Sequence, residues 1–253
     1  MLNQMYDGIN SFTYRGKNSL DMGLIITKKE SNFGGPVPKV EIMEIPGRSP
    51  LIVSNKTDPL DNEEFENFEK RYICHVIPEE YQNLEMVARN VYAWLFGDIS
   101  YNRLEDTYES DYFRLAYCGQ GMSVEDVAAG LIGKLEIVFT CKAFKFARDG
   151  ERTITLQAPG SIYNLENFTA KPYIKIFGFG DVTLYINHRA HVFKAIDQYI
   201  EIDSDIMSAY KGDALQNNKM TSQLFPKLTA RENEITWTGN ISKIEIIPRW
   251  CCL

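Results

Sequence analysis

The strongest constraint in this sequence is a series of short alternating segments that fills much of its second half. Apolar residues stand at every second position in three of these segments: Ile174 and Ile176; Val182, Leu184 and Ile186; Ile200 and Ile202. Gly, Asn or Asp marks the breaks between them, and the spacing typical of helices is absent. This pattern predicts an antiparallel β-sandwich or a jelly roll.

The end of the chain carries a pattern of the same kind. The stretch 235–246 alternates apolar and polar residues around a Gly-Asn pair at 239–240, which has the backbone freedom of a two-residue turn. Pro248 then stops the strand, because proline cannot donate to a ladder. We expect a terminal hairpin paired with strands already folded and closed by Trp237 and Trp250. Truncation of Trp237 to alanine should cost roughly 3 kcal/mol or more.

The first half predicts strands and one clear helix in the stretch 78–97. Apolar residues recur there at spacings of three and four: Leu84, Val87, Ala88, Val91 and Leu95. Glu79 and Glu80 suit the start of a helix, and Gly97 stands where a C-terminal cap belongs. Phe65 and Phe68 fit either a short helix or a strand edge.

A charged and turn-prone stretch, 147–153, separates the two patterns. We therefore predict a mainly β protein with two domains. The first, 1–147, is an α+β domain with one clear helix, and the second, 148–253, is all β.

The composition excludes several classes of protein. The net charge of −7 disfavours nucleic acid as a specific partner, because phosphate contacts need clustered Lys and Arg. Five cysteines without metal-site spacing indicate reduced thiols, and the adjacent Cys251 and Cys252 are interpreted as two thiols at the end of a sheet. We expect neither a signal peptide nor membrane insertion, since the N-terminus lacks a basic start and no apolar run is long enough.

The histidines give little support to a metal or catalytic site. His188 and His191 lie close in sequence, but no further ligand stands at the right spacing, so a surface or turn pair is favoured. His75 lies in an apolar run and is interpreted as a core histidine with a hydrogen-bonded ring. The templates for nucleophilic, zinc and phosphate-binding chemistry are absent, and we expect no cofactor and no enzyme activity.

One acidic segment leaves an alternative open. It contains four carboxylates, Glu105, Asp106, Glu109 and Asp111. Two facing carboxylates could hydrolyse a glycosidic bond, as in a glycosidase acting on cell-wall sugar. A solvated acidic loop is the favoured interpretation, because runs of acidic residues are usually exposed.

The order of the segments resembles that of the distal tail proteins of siphophages, over nearly the whole chain. The positions that carry the resemblance are Gly47 and Arg48; Pro172, Ile174, Ile176 and Gly178; Ile202 and Asp203; Phe225, Pro226 and Leu228; Asn233, Ile235 and Trp237; and Arg249 and Trp250. The chain is similar in particular to the short version, a baseplate hub protein, found in lactococcal siphophages. It departs from the family pattern at 229–233, where Pro-Gly usually precedes Asn233, and at Glu166, where Gly is common.

The resemblance implies a structural virion protein that is assembled in the host cytoplasm. Its N-terminal domains would form a six-fold ring between tail tube and tail tip, with a galectin-like β-sandwich as the C-terminal domain. The implied partners are other copies of itself, the tail tube protein, the tail-tip or tail-associated lysozyme protein, and upper baseplate or receptor-binding proteins. DNA would pass through the lumen, and we expect the acidic residues 105–111 to line it.

A galectin-like sandwich also suggests a second function, the binding of a saccharide on the host surface. Such a module would need an exposed aromatic platform, which 177–180 or 167–173 could supply.

Overall fold

The computed structural model describes the chain from residue 9 onward, except 30–34, 45, 48, 50–51, 56–63, 79–82, 123, 129–131 and 223. Strands make up 55% and helical turns 11%, so the predicted mainly β class is confirmed. The chain forms two compact units: the described residues up to 145, and 146–252. That each unit acts as a domain with its own role in assembly remains a prediction.

The first unit contains ten strands and one α-helix. The strands are β1 Phe12–Tyr14, β2 Lys17–Asn18, β3 Leu24–Lys29, β4 Val40–Met43, β5 Ile52–Asn55, β6 Phe68–Val76, β7 Asn102–Asp106, β8 Tyr112–Cys118, β9 Val124–Asp126 and β10 Gly133–Ala147. The helix α1 is Leu84–Phe96, and a 3-10 turn occupies Leu20–Met22. The last two residues of β10 belong to the second unit.

Most of these strands form one curled sheet in the order β2-β1-β7-β8-β10-β6-β3, with β9 beside β10. The curl brings the two ends of the sheet together. On edge strand β3, the Ile26 N–H donates to the Asn10 carbonyl just before β1 (3.2 Å). Phe65 forms a bridge with Pro38, and Phe68 begins β6, so the strand alternative is correct for both phenylalanines.

Helix α1 covers the concave core of this sheet. It buries Val87, Val91, Trp94 and Leu95, close to the predicted stripe. Phe12 stacks between the Tyr72 and Trp94 rings, with centroid distances of 5.0 and 5.6 Å. Trp94 Nε1 also donates to a β1 carbonyl, which fixes the helix to that strand.

The ends of α1 differ in part from the prediction. The Asn83 side chain caps the N-terminus by accepting from the Met86 N–H (2.8 Å). Gly97 occupies the C-cap position but stays right-handed, with φ −63°, so no left-handed glycine cap is needed there. Glu79 and Glu80 lie outside the described residues.

The second unit is built of nine further strands and two 3-10 turns. The strands are β11 Ile154–Leu156, β12 Gly160–Asn164, β13 Tyr173–Ile186, β14 Arg189–Ile196, β15 Tyr199–Asp203, β16 Ser208–Lys211, β17 Ala214–Leu215, β18 Arg231–Ile247 and β19 Cys251–Cys252. The 3-10 turns are Arg148–Glu151 and Asn217–Lys219. Eight of these strands form a sheet in the order β11-β18-β13-β15-β16-β17, with β12 also on β18 and β14 on β13, whereas β19 pairs with β10.

The predicted terminal hairpin is wrong, because 231–247 is one continuous strand. It runs antiparallel to β13, and the pairing shifts register at bulges near Gly178 and Gly239. Gly239 has φ +97°, and a Cβ there would lie 2.6 Å from the Asp181 carbonyl oxygen. The glycine freedom that we assigned to a turn therefore serves a bulge that bends the strand. The strand does end before Pro248, as predicted.

The predicted linker 147–153 is closely packed. Residues 148–151 form a 3-10 turn in which Gly150 is buried. The Gly150 carbonyl accepts from the Arg249 N–H (2.8 Å), and the Ala147 N–H donates to the Trp250 carbonyl (2.9 Å). A Cβ on Gly150 would come within 2.5 Å of the Trp250 nitrogen. This stretch therefore joins the C-terminal segment in one folded element.

The two C-terminal tryptophans should differ in their effect on stability. Trp250 is 6% exposed, whereas Trp237 is only partly buried, so our expectation for Trp237 was too large. Chemical denaturation should show a loss of roughly 3 kcal/mol or more for Trp250→Ala and about half of that for Trp237→Ala. Equal losses for the two variants would contradict this packing.

Candidate functional site

The aspartate and arginine of the sequence pattern meet in the second unit. Asp203 ends β15, and Arg249 lies beyond β18 with φ +58°, a left-handed conformation for a non-glycine residue. The two Nη atoms of Arg249 donate to the two Asp203 carboxylate oxygens at 2.7 and 2.9 Å. Burial raises the pKa of Asp203, but the hydrogen bonds and charge of Arg249 outweigh it and hold that pKa below 3.8. This bidentate pair fixes the end of the chain to the sheet.

Asn233 organises the turn at 229–233, where the sequence departs from the family pattern. Its buried side chain accepts from the Thr229 N–H (2.8 Å) and donates to the Thr229 and Arg231 carbonyls (2.9 and 3.1 Å). Arg231 takes φ +72°, the conformation that a glycine would adopt without strain. The turn thus forms without Pro-Gly because the Asn233 amide holds it.

The other pattern positions mainly build the core. Those that are buried are Pro172, Ile174, Ile176, Gly178, Ile202, Leu228, Ile235, Pro226 and Trp250. Gly178 has no room for a side chain, since a Cβ would lie 2.2 Å from the Asn240 carbonyl oxygen. Phe225 is half-buried and Gly47 is exposed with φ +77°, whereas Arg48 lies outside the described residues. These positions therefore carry the fold, and their part in an interface remains a prediction.

Asp106, in the acidic segment, is buried at the end of β7. It accepts a hydrogen bond from the Tyr72 hydroxyl (2.6 Å), and Lys70 Nζ lies 2.6 Å from its Oδ2. Burial raises the pKa of Asp106, but the charge and hydrogen bond of Lys70, with the bond from Tyr72, lower it below 3.8. Asp106 is therefore ionised in the core at neutral pH.

Glu109 follows in the turn between β7 and β8 and is held by three cations. Lys145 Nζ lies 2.6 Å from its Oε1, while Lys70 Nζ and Arg114 Nη2 lie 3.7 and 3.8 Å from its Oε2. Burial raises the pKa of Glu109, but the hydrogen bond and charge of Lys145, together with the other cations, lower it below 4.5. Two carboxylates thus share three cations.

This cluster corrects the interpretation of the acidic segment as a solvated loop. Of its four carboxylate residues only Asp111 is exposed, and Glu105 is partly buried and bonded to Arg103. Asp106 and Glu109 are charge-compensated, which removes the free negative charge that we expected them to bring to a lumen. Their lowered pKa values also oppose the glycosidase alternative, because a general acid needs a raised pKa.

The three histidines differ in their position and burial. His188, with φ +65°, stands in the turn between β13 and β14, as predicted for a turn residue. His191 is instead buried in β14, where its Nδ1 donates to the Leu224 carbonyl (3.0 Å). His75 faces away from the core and is only partly buried, so its assignment to the core is wrong. Among the described residues, no group of three His, Cys, Asp or Glu side chains could hold a metal ion.

The aromatic platform considered for a saccharide is largely covered. Lys243 Nζ lies 4.2 Å from the Phe177 ring centroid, and Lys175 Nζ lies 5.4 Å from the same centroid. Tyr173 is engaged by Glu201, to which its hydroxyl donates (2.7 Å). Phe179 is the aromatic residue of 177–180 that remains open, at 55% exposure.

Sequence reasoning missed an exposed apolar surface of the first unit. Strands β4 and β5 pair only with each other in the described chain, and we call them the apolar ribbon. Val40, Ile42 and Val53 are 48–60% exposed, and Ile42 lies opposite Val53 on one face. Every residue of β4 is exposed, and no described residue covers that face.

The base of the ribbon is firmly attached. The Lys39 N–H donates to the Glu64 carbonyl and the Glu66 N–H to the Val37 carbonyl, both at 2.8 Å. Phe65 packs edge-on against Phe144 of β10, with centroids 5.4 Å apart. The ribbon is thus attached to the unit by backbone hydrogen bonds and an aromatic contact.

Asp106→Asn should destabilise the first unit, because it keeps the shape but removes the nearer of the two carboxylates that compensate the partly buried Lys70. We expect a loss of about 3 kcal/mol in chemical denaturation. Asp111→Asn, in the same segment, is the matched control and should leave the unfolding midpoint unchanged. A midpoint for Asp106→Asn equal to that of the wild type would contradict the buried pair.

His191 should make stability depend on pH. Burial lowers its pKa from 6.5 to about 4, so the unfolded chain binds the proton first as pH falls. Stability should therefore drop by roughly 3 kcal/mol between pH 6.5 and pH 4. His191→Gln should remove this part of the pH dependence, whereas His188→Gln, at the exposed turn, should retain it.

No family model matches the sequence, and no curated protein matches it. Among solved structures, the fold is similar to the Dit (gp 19.1) protein of phage SPP1, described as a paradigm of hub adsorption apparatus in phages infecting Gram-positive bacteria. The match covers 97% of this chain and 100% of that one, with a TM-score of 0.69 and 10% identity. A chain of the phage P2 baseplate, in its activated conformation with Ca, matches over 94% of this chain and 97% of its own, with a TM-score of 0.51 and 10% identity.

At this identity the likeness concerns the fold. The resemblance to a distal tail or baseplate hub protein of siphophages is confirmed at that level, since the chain has, along nearly its whole length, the fold of the SPP1 Dit hub protein.

Proposed function

We propose that this chain is a structural virion protein, the distal tail protein of a siphophage. Copies of it form a six-fold ring that joins the tail tube to the tail tip or baseplate and leaves a central channel for DNA. The observation that carries the proposal is the fold match to the SPP1 hub protein, which covers 97% of this chain and all of the other. The match therefore includes residues of both compact units.

The apolar ribbon supports self-association. A two-stranded ribbon that exposes aliphatic side chains is marginally stable in water by itself, so burial against another surface would stabilise it. A second copy of the chain is the partner that is always present during assembly. A patch that docks onto a different patch of the next copy gives a ring when the rotation closes.

The charged groups of the described residues fit a structural role. The carboxylates of Asp106 and Glu109 are compensated by cations, and most positions of the family pattern build the core. We propose no reaction and no cofactor. The partners are the tail tube protein, the tail-tip or tail-associated lysozyme protein, and upper baseplate or receptor-binding proteins.

The charge of the chain is compatible with a channel through which DNA passes. Each copy has a net charge of −7, and a ring of such copies repels the phosphate backbone. Asp106 and Glu109 contribute little to this repulsion, because Lys70, Arg114 and Lys145 compensate them. Asp111 is the exposed carboxylate of the segment that could face a lumen.

The saccharide-binding alternative now rests on Phe179. Because the Phe177 ring lies close to two lysine side chains, a sugar could stack on it only by displacing them. Calorimetric titration with host-wall saccharides would detect such binding, and Phe179→Ala should abolish it.

The mass of the purified chain in solution tests the ring. Light scattering or native mass spectrometry should show a six-subunit species for the wild type. Ile42→Lys should convert it to the monomer, because a lysine on the apolar face cannot be buried without losing its hydration. The melting profile of the first unit should be retained.

Ser54→Lys provides the matched control. Ser54 lies on β5 opposite Glu41, next to Val53 but pointing to the other face of the ribbon. This variant should keep the six-subunit mass. A wild-type chain that stays monomeric at every concentration, alone and with its tail neighbours, would refute the proposed function.

A further inference from the structure

The longest uncovered sheet edge in the described part of the second unit is at β12. This strand pairs with β18 on one side only among the described residues. The edge of β14 is different, because the Thr221 N–H donates to the Val192 carbonyl (2.9 Å) and Met220 bridges to Phe193. The remaining edge strands, β11 and β17, are three and two residues long. Alternate N–H and C=O groups of β12 therefore point away from the sheet and can pair with another strand.

Two large apolar side chains at this edge face outward. Tyr163 is 58% exposed, and Leu165, directly after the strand, is 78% exposed, the highest value for a large apolar residue in the described chain. Ile162 and Asn164 point to the opposite, buried face. Natural sheets protect open edges with lysine, proline or bulges, and β12 itself has none of these. Such an edge is expected to be covered in an assembly.

The charge around the edge specifies the kind of partner. Tyr163 lies directly opposite Glu232, and Ser161 opposite Glu234, so both carboxylates share the outward face of β12. Glu232 forms no ion pair among the described residues, and Glu234 lies 3.6 Å from Nε2 of the His188 ring. The outward face of β12 thus combines two carboxylates, of Glu232 and Glu234, with the ring of Tyr163.

We propose that the β12 edge takes up an extended segment of a partner polypeptide by strand addition, and that this segment alternates cationic and apolar residues. Backbone hydrogen bonds to β12 supply the affinity, while Tyr163 and the two glutamates select apolar and cationic side chains. The proposal does not depend on ring formation, because every residue in it belongs to the second unit.

A capped, fluorescent peptide of alternating lysine and valine serves as the probe, with the full-length chain as receptor. Binding, followed by fluorescence anisotropy, should slow amide hydrogen exchange at 161–165 at least tenfold. The double variant Glu232→Gln/Glu234→Gln should weaken binding at least tenfold, and Tyr163→Ser should do the same. Because these side chains are exposed, each variant should keep the wild-type melting temperature.

Two controls separate strand addition from charge attraction. Glu125→Gln/Glu136→Gln removes the same charge from the first unit and should leave binding unchanged. A peptide with proline in place of every valine keeps its charge but loses half of its donors, and it should bind at least tenfold more weakly. Equal binding of the two peptides would overturn the proposal, and so would a lack of protection at 161–165. A third contrary result would be a Tyr163→Ser variant whose assembled species, without peptide, has a lower mass than that of the wild type. That result would show that a second copy of the chain fills the edge.

Discussion

The antiparallel pairing of β13 with β18 is the interaction on which the second unit depends. Strands β11 and β12 pair with β18, and β14 and β15 pair with β13. Loss of this central pair would therefore leave these four strands without their pairing partners. The pair bends at bulges, and Gly178 and Gly239 leave no room for side chains there. Since β18 pairs with strands as early as β11, this sheet can be completed only when the whole stretch 154–247 is available. The Asp203–Arg249 pair then locks the last residues against it.

The first unit relies on a different device, a polar cluster at the edge of an aromatic core. Placing Asp106 beside Lys70 and the Tyr72 hydroxyl joins β6 to β7 through specific hydrogen bonds. A buried ion pair contributes little net stability, since desolvation offsets most of the attraction, but removal of one partner is costly. The cluster is therefore better understood as fixing the arrangement of the strands than as a site for chemistry.

The two open surfaces give the molecule its proposed role. The apolar ribbon extends from the first unit, and the β12 edge belongs to the second. Both present groups that a folded monomer usually covers. The ribbon presents aliphatic side chains, and β12 presents the backbone groups of its open edge. A protein that works by holding neighbours together needs such surfaces, whereas an enzyme would need a cleft with perturbed acids and bases. The lowered pKa values of Asp106 and Glu109 agree with the first description.

Local pattern predicted those features that depend on neighbours in sequence. Helix α1 follows from the spacing of Val87, Val91 and Leu95, and the strands follow from alternation, because both periods are properties of the backbone itself. The mainly β class and the fold resemblance could be recognised for the same reason. The departure at 229–233 was also visible, although the sequence could not show that the Asn233 side chain replaces the missing Pro-Gly.

Tertiary structure alone decided which partner each strand and charge would meet. Gly239 supports a turn or a bulge equally well, and only the long β13 ladder selects the bulge. The carboxylates of 105–111 resemble a solvated loop until the curled sheet brings Lys70 and Lys145, distant in sequence, within ion-pair distance. The sequence by itself determined the elements and their class, because these are set by interactions over a few residues. The burial of His191, the exposure of the ribbon and the open edge of β12 depend on contacts between distant segments, which no local pattern encodes.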